Sequence, residues 1–297
     1  MRIRLQGIFP PLTTPFDDEG RLDLAALASN VARYNETRLA GYVALGSNGE
    51  AVHLSTNERI SVFQTVKRAA ASDKVIVAGI NELSTLAAIE GAKYAHDCGA
   101  DAALVITPYF YKGQMTQEVL KGHFLEVADR SPIPVLVYNI PQNTGVVIQP
   151  ATIAELAAHE NIVGTKDSSG DMGALASTMR LSPNNFSVLT GNAGILYPAL
   201  MMGASGGILA MACLSPSSCL ELYDAALAGQ SEQARSLQNR ISPISSLVTS
   251  GLGVPGLKAA LDLAGYAGGR ARAPMPAVRL ADVEKIKTAM RSSELFP

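Results

Sequence analysis

Asn161-Ile162-Val163-Gly164-Thr165-Lys166-Asp167 is the stretch on which the fold turns. A short apolar run rich in β-branched residues reads as a buried strand. This one ends in a lysine, and an ammonium is expensive to take out of water. Just upstream, Pro134-Val135-Leu136-Val137-Tyr138-Asn139 repeats the pattern and ends in a tyrosine. Similar runs predict strands at Gly7–Leu12, Gly41–Leu45, Lys74–Ala78, Ala102–Ile106, Pro134–Tyr138, Ile162–Lys166, Phe186–Leu189 and Gly206–Ala210. They recur every ~20–35 residues, the repeat of a (β/α)8 barrel.

The segments between them carry helix signals. Ser55-Thr56-Asn57-Glu58 has the form of a capping box, ahead of an amphipathic stretch to Ala71. Thr116-Gln117-Glu118 opens another that runs to Arg130, and Thr152–His159 and Gly173–Arg180 are shorter. Ser215–Ala228 would be the last barrel helix. Ser231–Ser250, Gly256–Ala264 and Ala281–Ser292 then predict a C-terminal helical extension, broken at Gly251–Gly256 and Gly265–Pro276. The predicted fold is thus α/β, a TIM barrel over 1–228 followed by a helical region over 229–297. An open dinucleotide-binding sheet would need Gly-x-Gly-x-x-Gly after its first strand. The chain has Pro10-Pro11-Leu12-Thr13-Thr14-Pro15 there instead.

Composition narrows the functional classes. Of 297 residues, 47% are hydrophobic and 17% charged, enough for a large core. A net charge of -2 without a basic cluster gives no electrostatic case for nucleic acid. Met1–Gly7 lacks the apolar region of a signal peptide, and no run approaches the ~20 apolar residues of a membrane span. A cytoplasmic protein is the expectation. Cys98, Cys213 and Cys219 lack metal-ligand spacing and read as small core residues. His53, His96, His123 and His159 match no metal motif, the last three falling in predicted helices.

In such a barrel, function gathers at the C-terminal ends of the strands. If parallel neighbours end in Tyr138 and Lys166, a phenol stands beside an amine. Burial lowers the pKa of a lysine, and the neutral amine can form a Schiff base with a carbonyl. The loop Gly46-Ser47-Asn48-Gly49-Glu50 follows the second strand, and its backbone N–H groups with the Ser47 hydroxyl suit a carboxylate. Each part has a plainer reading. Lys166 could pair with Asp167 at the rim, Tyr138 could be a core tyrosine, and the loop could be a glycine-rich turn. Glu50 reads as a residue stabilising a helix start rather than as a general base.

Gly46–Glu50, Tyr138-Asn139-Ile140-Pro141-Gln142-Asn143-Thr144-Gly145, Gly164–Gly170, Thr107-Pro108-Tyr109 and Gly253-Val254-Pro255-Gly256-Leu257-Lys258 occur in order. Together they resemble the signature segments of the dihydrodipicolinate synthase / N-acetylneuraminate lyase family, over about Gly7 to Pro276. The resemblance implies a class I aldolase, a carbon-carbon lyase, in which Lys166 forms an imine with pyruvate or another 2-oxo acid. It implies that Tyr138 relays protons and that Ser47, Asn48 and Gly49 bind the carboxylate, Ser47 standing where threonine is common. It further implies that Ile208 offers its carbonyl near the lysine, that no metal or organic cofactor is needed, and that the assembly is a homotetramer.

Within the family, the synthases carry an arginine where this chain has Asn143. An amide offers neither charge nor a bidentate fork. The motifs more closely resemble the 4-hydroxy-2-oxoglutarate aldolases, which release pyruvate and glyoxylate, and by that likeness Ser168 is a further active-site hydroxyl. The alternative expectation is dihydrodipicolinate synthase, joining pyruvate to aspartate semialdehyde. Sugar-acid lyases and a silent 2-oxo-acid-binding paralogue rank lower. The family also lends a tyrosine to a neighbouring subunit from the loop after strand four. Direct alignment puts Phe110 there, flanked by Tyr109 and Tyr111, and Tyr111 is the expected donor of the hydroxyl.

Overall fold

The computed structural model describes residues 3–296. Its strands are β1 (Gly7–Phe9), β2 (Gly41–Ala44), β3 (Val75–Ile80), β4 (Ala102–Ile106), β5 (Val135–Asn139), β6 (Ile162–Asp167), β7 (Ser187–Thr190) and β8 (Gly206–Ile208). All pair in parallel, in the order β1-β8-β7-β6-β5-β4-β3-β2. The remaining gap is drawn together by Val43 N donating to Pro10 O at 3.0 Å and Leu12 N donating to Val43 O at 2.9 Å. The result is a nearly closed (β/α)8 barrel.

Strand ends differ from the sequence expectation for local reasons. β1 stops at Phe9 rather than Leu12 because Pro10 and Pro11 have no N–H for a ladder. β3 starts after Lys74 and continues past Ala78 to Ile80. Gly79 permits this, since a Cβ there would lie 2.1 Å from Leu45 O. β8 ends at Ile208, not Ala210, because the chain turns at once into a helix.

The first barrel helices are α1 (Leu24–Asn35), α2 (Thr56–Ala69), α3 (Thr85–Asp97), α4 (Gln117–Arg130) and α5 (Pro141–Thr144). They continue with α6 (Pro150–Leu156), α7 (Met172–Leu181), α8 (Leu196–Met201), α9 (Met211–Leu214) and α10 (Pro216–Leu227). The capping box of α2 forms: Ser55 N donates to Glu58 Oε2 at 2.8 Å, and Glu58 N donates back to Ser55 Oγ at 3.4 Å. α2 ends two residues before Ala71. α6 begins at Pro150 and ends before His159, whose Nε2 lies 3.0 Å from Asp129 Oδ1.

α11 (Ser231–Ser246), α12 (Gly253–Leu263) and α13 (Leu280–Ser293) form the C-terminal region. The break predicted at Gly251–Gly256 narrows to Leu252 and Gly253, the latter at φ 64°. A π-helical turn over Leu247–Gly251 leads into α12, which starts at Gly253. Pro255 falls in its first turn, where no intrahelical N–H bond is lost.

Two apolar layers result. Phe9, Val43, Val77, Leu104, Leu136, Val163, Leu189 and Ile208 fill the barrel. Ile8, Ala44, Ile76, Val105, Val137, Ile162 and Val188 face the helices. Ile241, Val248, Leu257 and Ile286 of the C-terminal helices join the outer layer rather than building one of their own. Each such side chain contributes ~1.5–3 kcal/mol of burial. Among the described residues, no helix is long and apolar enough to cross a membrane.

One irregularity decides where the chemistry points. Val135 pairs with Ile162, but Leu136 pairs with Gly164, so β6 carries an extra residue at Val163. Simple alternation from outward Ile162 would turn residue 166 toward the helices. The bulge shifts the count by one, and such a shift moves every later side chain to the other face. Lys166 therefore lies in register with inward-facing Tyr138 and Leu189.

Candidate active site

Lys166 is 4% exposed, and its Nζ donates to Tyr138 Oη at 3.2 Å, 4.2 Å from the ring centre. Tyr138 is 2% exposed, and its hydroxyl is also 3.3 Å from Ser47 Oγ. Amine, phenol and alcohol from β6, β5 and the loop after β2 thus form one chain of hydrogen bonds inside the barrel. This is not a rim lysine paired with Asp167. Asp167 faces the other way and is occupied: Asn139 Nδ2 donates to it at 2.7 Å, Ser169 N at 2.9 Å and Ser169 Oγ at 2.5 Å. These bonds fix the end of β6 and hence the root of Lys166.

Beside the lysine, Ser168 is 8% exposed. A Cβ built on Gly191 would lie 1.9 Å from Ser168 Oγ and 3.0 Å from Lys166 Cε. Glycine at 191 is thus what lets the hydroxyl and the lysine stem share this space. Residue type alone gives Asn139 and Gly191 no chemical role. The signal for both was their place at a strand end, next to Tyr138 and Thr190.

The loop after β2 is a 3-10 turn over Ser47–Gly49. Gly49 N donates to Gly46 O at 2.9 Å and Glu50 N to Ser47 O at 3.2 Å. The N–H groups of Ser47 and Asn48 have no partner among the described residues. They are the backbone donors available to a carboxylate. Ile208 ends β8, buried in the same barrel interior as Tyr138.

Glu50 corrects the expectation that it stabilises a helix start. It caps nothing with its side chain, and α2 begins only at Thr56. Its carboxylate is fully buried, 2.6 Å from the equally buried Lys258 Nζ.

The outer rim is more open. Asn143 is exposed on α5. Phe110 and Tyr111 are 72% and 71% exposed and stack edge to face at 5.0 Å, while Tyr109 is half-buried against both apolar layers. Tyr111 is therefore not brought to Lys166 within a single chain. The Cys213 and Cys219 thiols are pushed well up by burial, Cys219 to about 12, as inert core sulfurs are. Cys98 is half-buried. His123 is held down to about 4 by burial, its Nδ1 2.9 Å from Thr85 Oγ1. Among the described residues, no group of three or more His, Cys, Asp or Glu is placed to hold a metal ion.

An eight-stranded parallel barrel with a buried lysine touching a tyrosine inside it fits a Schiff-base aldolase, and the similarities to known proteins place the chain among the pyruvate-dependent class I carbon-carbon lyases. The family model described as "Dihydrodipicolinate synthetase family" matches residues 4–292. A 4-hydroxy-tetrahydrodipicolinate synthase of an Exiguobacterium species is 34% identical over 284 residues, covering 96% of each chain. One from Methanothrix thermoacetophila is 35% identical over 271 residues, 91% of this chain and 90% of that one. Among solved structures, a chloride-inhibited dihydrodipicolinate synthase from Acinetobacter baumannii complexed with pyruvate superposes with a TM-score of 0.93 at 30% identity, over 98% of this chain and 99% of that one. The Aquifex aeolicus dihydrodipicolinate synthase gives 0.91 at 29%, with 98% and 99% covered.

The chain belongs to the dihydrodipicolinate synthetase family. The order of expectations inside the family is corrected. These relatives are named as synthases, so the reading that put 4-hydroxy-2-oxoglutarate cleavage first finds no support among them, and the synthase alternative fits better.

Proposed function

We propose that this enzyme forms an imine between Lys166 and the ketone of pyruvate or a related 2-oxo acid, then makes or breaks a C–C bond to an aldehyde. The observation that carries this is the contact of 3.2 Å between Lys166 Nζ and Tyr138 Oη, with Ser47 Oγ 3.3 Å beyond. The amine adds to C2. Tyr138 gives its proton to the departing hydroxyl of the carbinolamine, and water leaves. The protonated imine is an electron sink, so the C3 proton passes to the Tyr138 phenolate and the resulting enamine attacks the aldehyde carbon, whose oxygen takes that proton up. In the reverse sense, a proton leaves the C4 hydroxyl and the C3–C4 bond breaks. The free N–H groups of Ser47 and Asn48 hold the carboxylate, and Ser168 and the Ile208 carbonyl flank the adduct. The imine itself supplies the electrophile, so no metal or organic cofactor enters the scheme. The complex of the Acinetobacter relative with pyruvate supports the donor half.

For the acceptor, the relatives' names favour aspartate semialdehyde, giving 4-hydroxy-tetrahydrodipicolinate. The uncharged, exposed Asn143 supports a second reading, reversible cleavage of 4-hydroxy-2-oxoglutarate. Either acceptor carries a carboxylate. Lys112 brings a charge to that rim: its side chain lies across Gly145, where a Cβ would be 3.1 Å from Nζ, and it makes no ion pair among the described residues. Two assays decide between the readings, pyruvate consumption with aspartate semialdehyde and pyruvate release from 4-hydroxy-2-oxoglutarate. Activity in neither removes both. In the active assay, Lys112→Met is expected to raise KM for the acceptor or cleaved substrate about tenfold, worth ~1.4 kcal/mol, while pyruvate capture on Lys166 is unchanged.

The exposed pair Phe110–Tyr111 fits burial against another copy, and the assembly proposed is a homotetramer in which Tyr111 extends a neighbour's relay. Tyr111→Phe should then lower kcat without changing the mass measured by light scattering. Full activity in that variant removes Tyr111 from the relay.

A further inference from the structure

Two charges sit together in the interior, far along the chain from each other, and the chemistry above uses neither. Glu50 and Lys258 are both 0% exposed at the side chain, with Lys258 Nζ 2.6 Å from Glu50 Oε1. Replacing such a pair with apolar residues usually costs a protein little stability. Its presence therefore invites a reason other than stability, and its location supplies one. Glu50 immediately follows the Ser47–Gly49 turn, and its own N–H closes that turn on Ser47 O at 3.2 Å. It does so at φ 54°, a left-handed conformation that favours glycine.

The C-terminal region holds Glu50 in that conformation. Arg272 N donates to Glu50 Oε2 at 2.8 Å, and Lys258 Nζ donates to Arg270 O at 2.8 Å. The Phe16 ring lies against Lys258 Nζ at 4.4 Å and the Arg272 guanidinium at 4.3 Å. That guanidinium is fixed to Gly20 O at 2.7 Å, His53 O at 3.0 Å and Glu58 Oε1 at 2.7 Å. It holds the Glu58 carboxyl down to about 2. From the other side, Thr14 Oγ1 donates to Gly49 O at 2.7 Å.

We infer that Glu50, gripped by Lys258 and the Arg272 peptide, is a positioning residue for the pyruvate carboxylate. It sets the direction of the free Ser47 and Asn48 N–H groups and makes the C-terminal region a working part of the site. The inference rests on the reading that this turn binds the carboxylate. Glu50→Gln/Lys258→Met removes both charges at nearly constant volume and leaves neither uncompensated, and Glu50→Gln alone keeps an acceptor for Arg272 N. Both would be studied as full-length protein, for KM and kcat with pyruvate, borohydride capture on Lys166, and Tm. The expected result is a rise in KM for pyruvate of about tenfold or more, with kcat within about threefold. Capture should fall at low pyruvate and recover at high pyruvate. A lower Tm with unchanged KM in either variant overturns the inference, because the pair would then serve the fold alone. Wild-type protein separates the two ideas: no pyruvate adduct there fails the imine reading, whereas normal wild-type capture with unaltered variants fails only this one.

Discussion

Lys166→Ala is expected to abolish both turnover and the covalent capture of pyruvate, leaving the fold intact. In the proposed reaction the amine nitrogen forms the bond to substrate, so its loss removes a reaction path rather than weakening one. The barrel should tolerate the change, since the Ala side chain is apolar and the Tyr138 hydroxyl keeps its contact with Ser47 Oγ. The check is incubation with pyruvate, borohydride reduction and mass spectrometry of the peptide bearing residue 166, with circular dichroism as the folding control. Retained activity would remove the Schiff-base assignment. An adduct elsewhere would also do so, and the fully buried amine of Lys258 is one to inspect. Burial pushes the Lys258 amine down despite its Glu50 partner, so what argues against it as a nucleophile is access: its side chain is 0% exposed and held by Glu50 Oε1 and Arg270 O.

Tyr138→Phe is expected to slow turnover by ~10²–10⁴-fold, the usual worth of a positioned proton-transfer group. That corresponds to ~3–5 kcal/mol of barrier. The ring is retained, so packing against the barrel interior is retained with it. The hydroxyl is lost, and with it the bonds to Lys166 Nζ and Ser47 Oγ. Imine formation should still be detectable at long incubation, because solvent can protonate the departing carbinolamine hydroxyl in place of the phenol, only more slowly. Single-turnover rates and the yield of the reduced adduct measure the two effects separately. A near-normal rate would mean that another group carries the proton.

Much of this was legible beforehand because it rests on local chemistry. Strand and helix positions followed from apolar runs and capping residues. The Ser55–Glu58 box is the clearest case, since all its partners lie within four residues. Lys166, Tyr138 and Ser47 could be nominated because each stands at a strand end, where a barrel gathers its active groups. Glu50 could not be read correctly. Its partner is Lys258, and nothing within 208 positions of sequence says that a glutamate after a glycine turn will meet a lysine from the C-terminal helices. Asn143 and Tyr111 lie on the exposed rim, where packing fixes little.

By itself the sequence determined the repeat, the apolar layers and which candidate groups stand at the strand ends, because periodicity and side-chain chemistry are properties of the chain. Only the tertiary structure decided that those groups meet. The extra residue at Val163 turns Lys166 inward to Tyr138, and Gly191 leaves room for its stem beside Ser168. The C-terminal region fixes Glu50 behind the Ser47–Gly49 turn. Each of these depends on contacts between strands or segments distant in sequence. A one-residue change of register reverses a side chain's face without altering the composition of the strand that carries it.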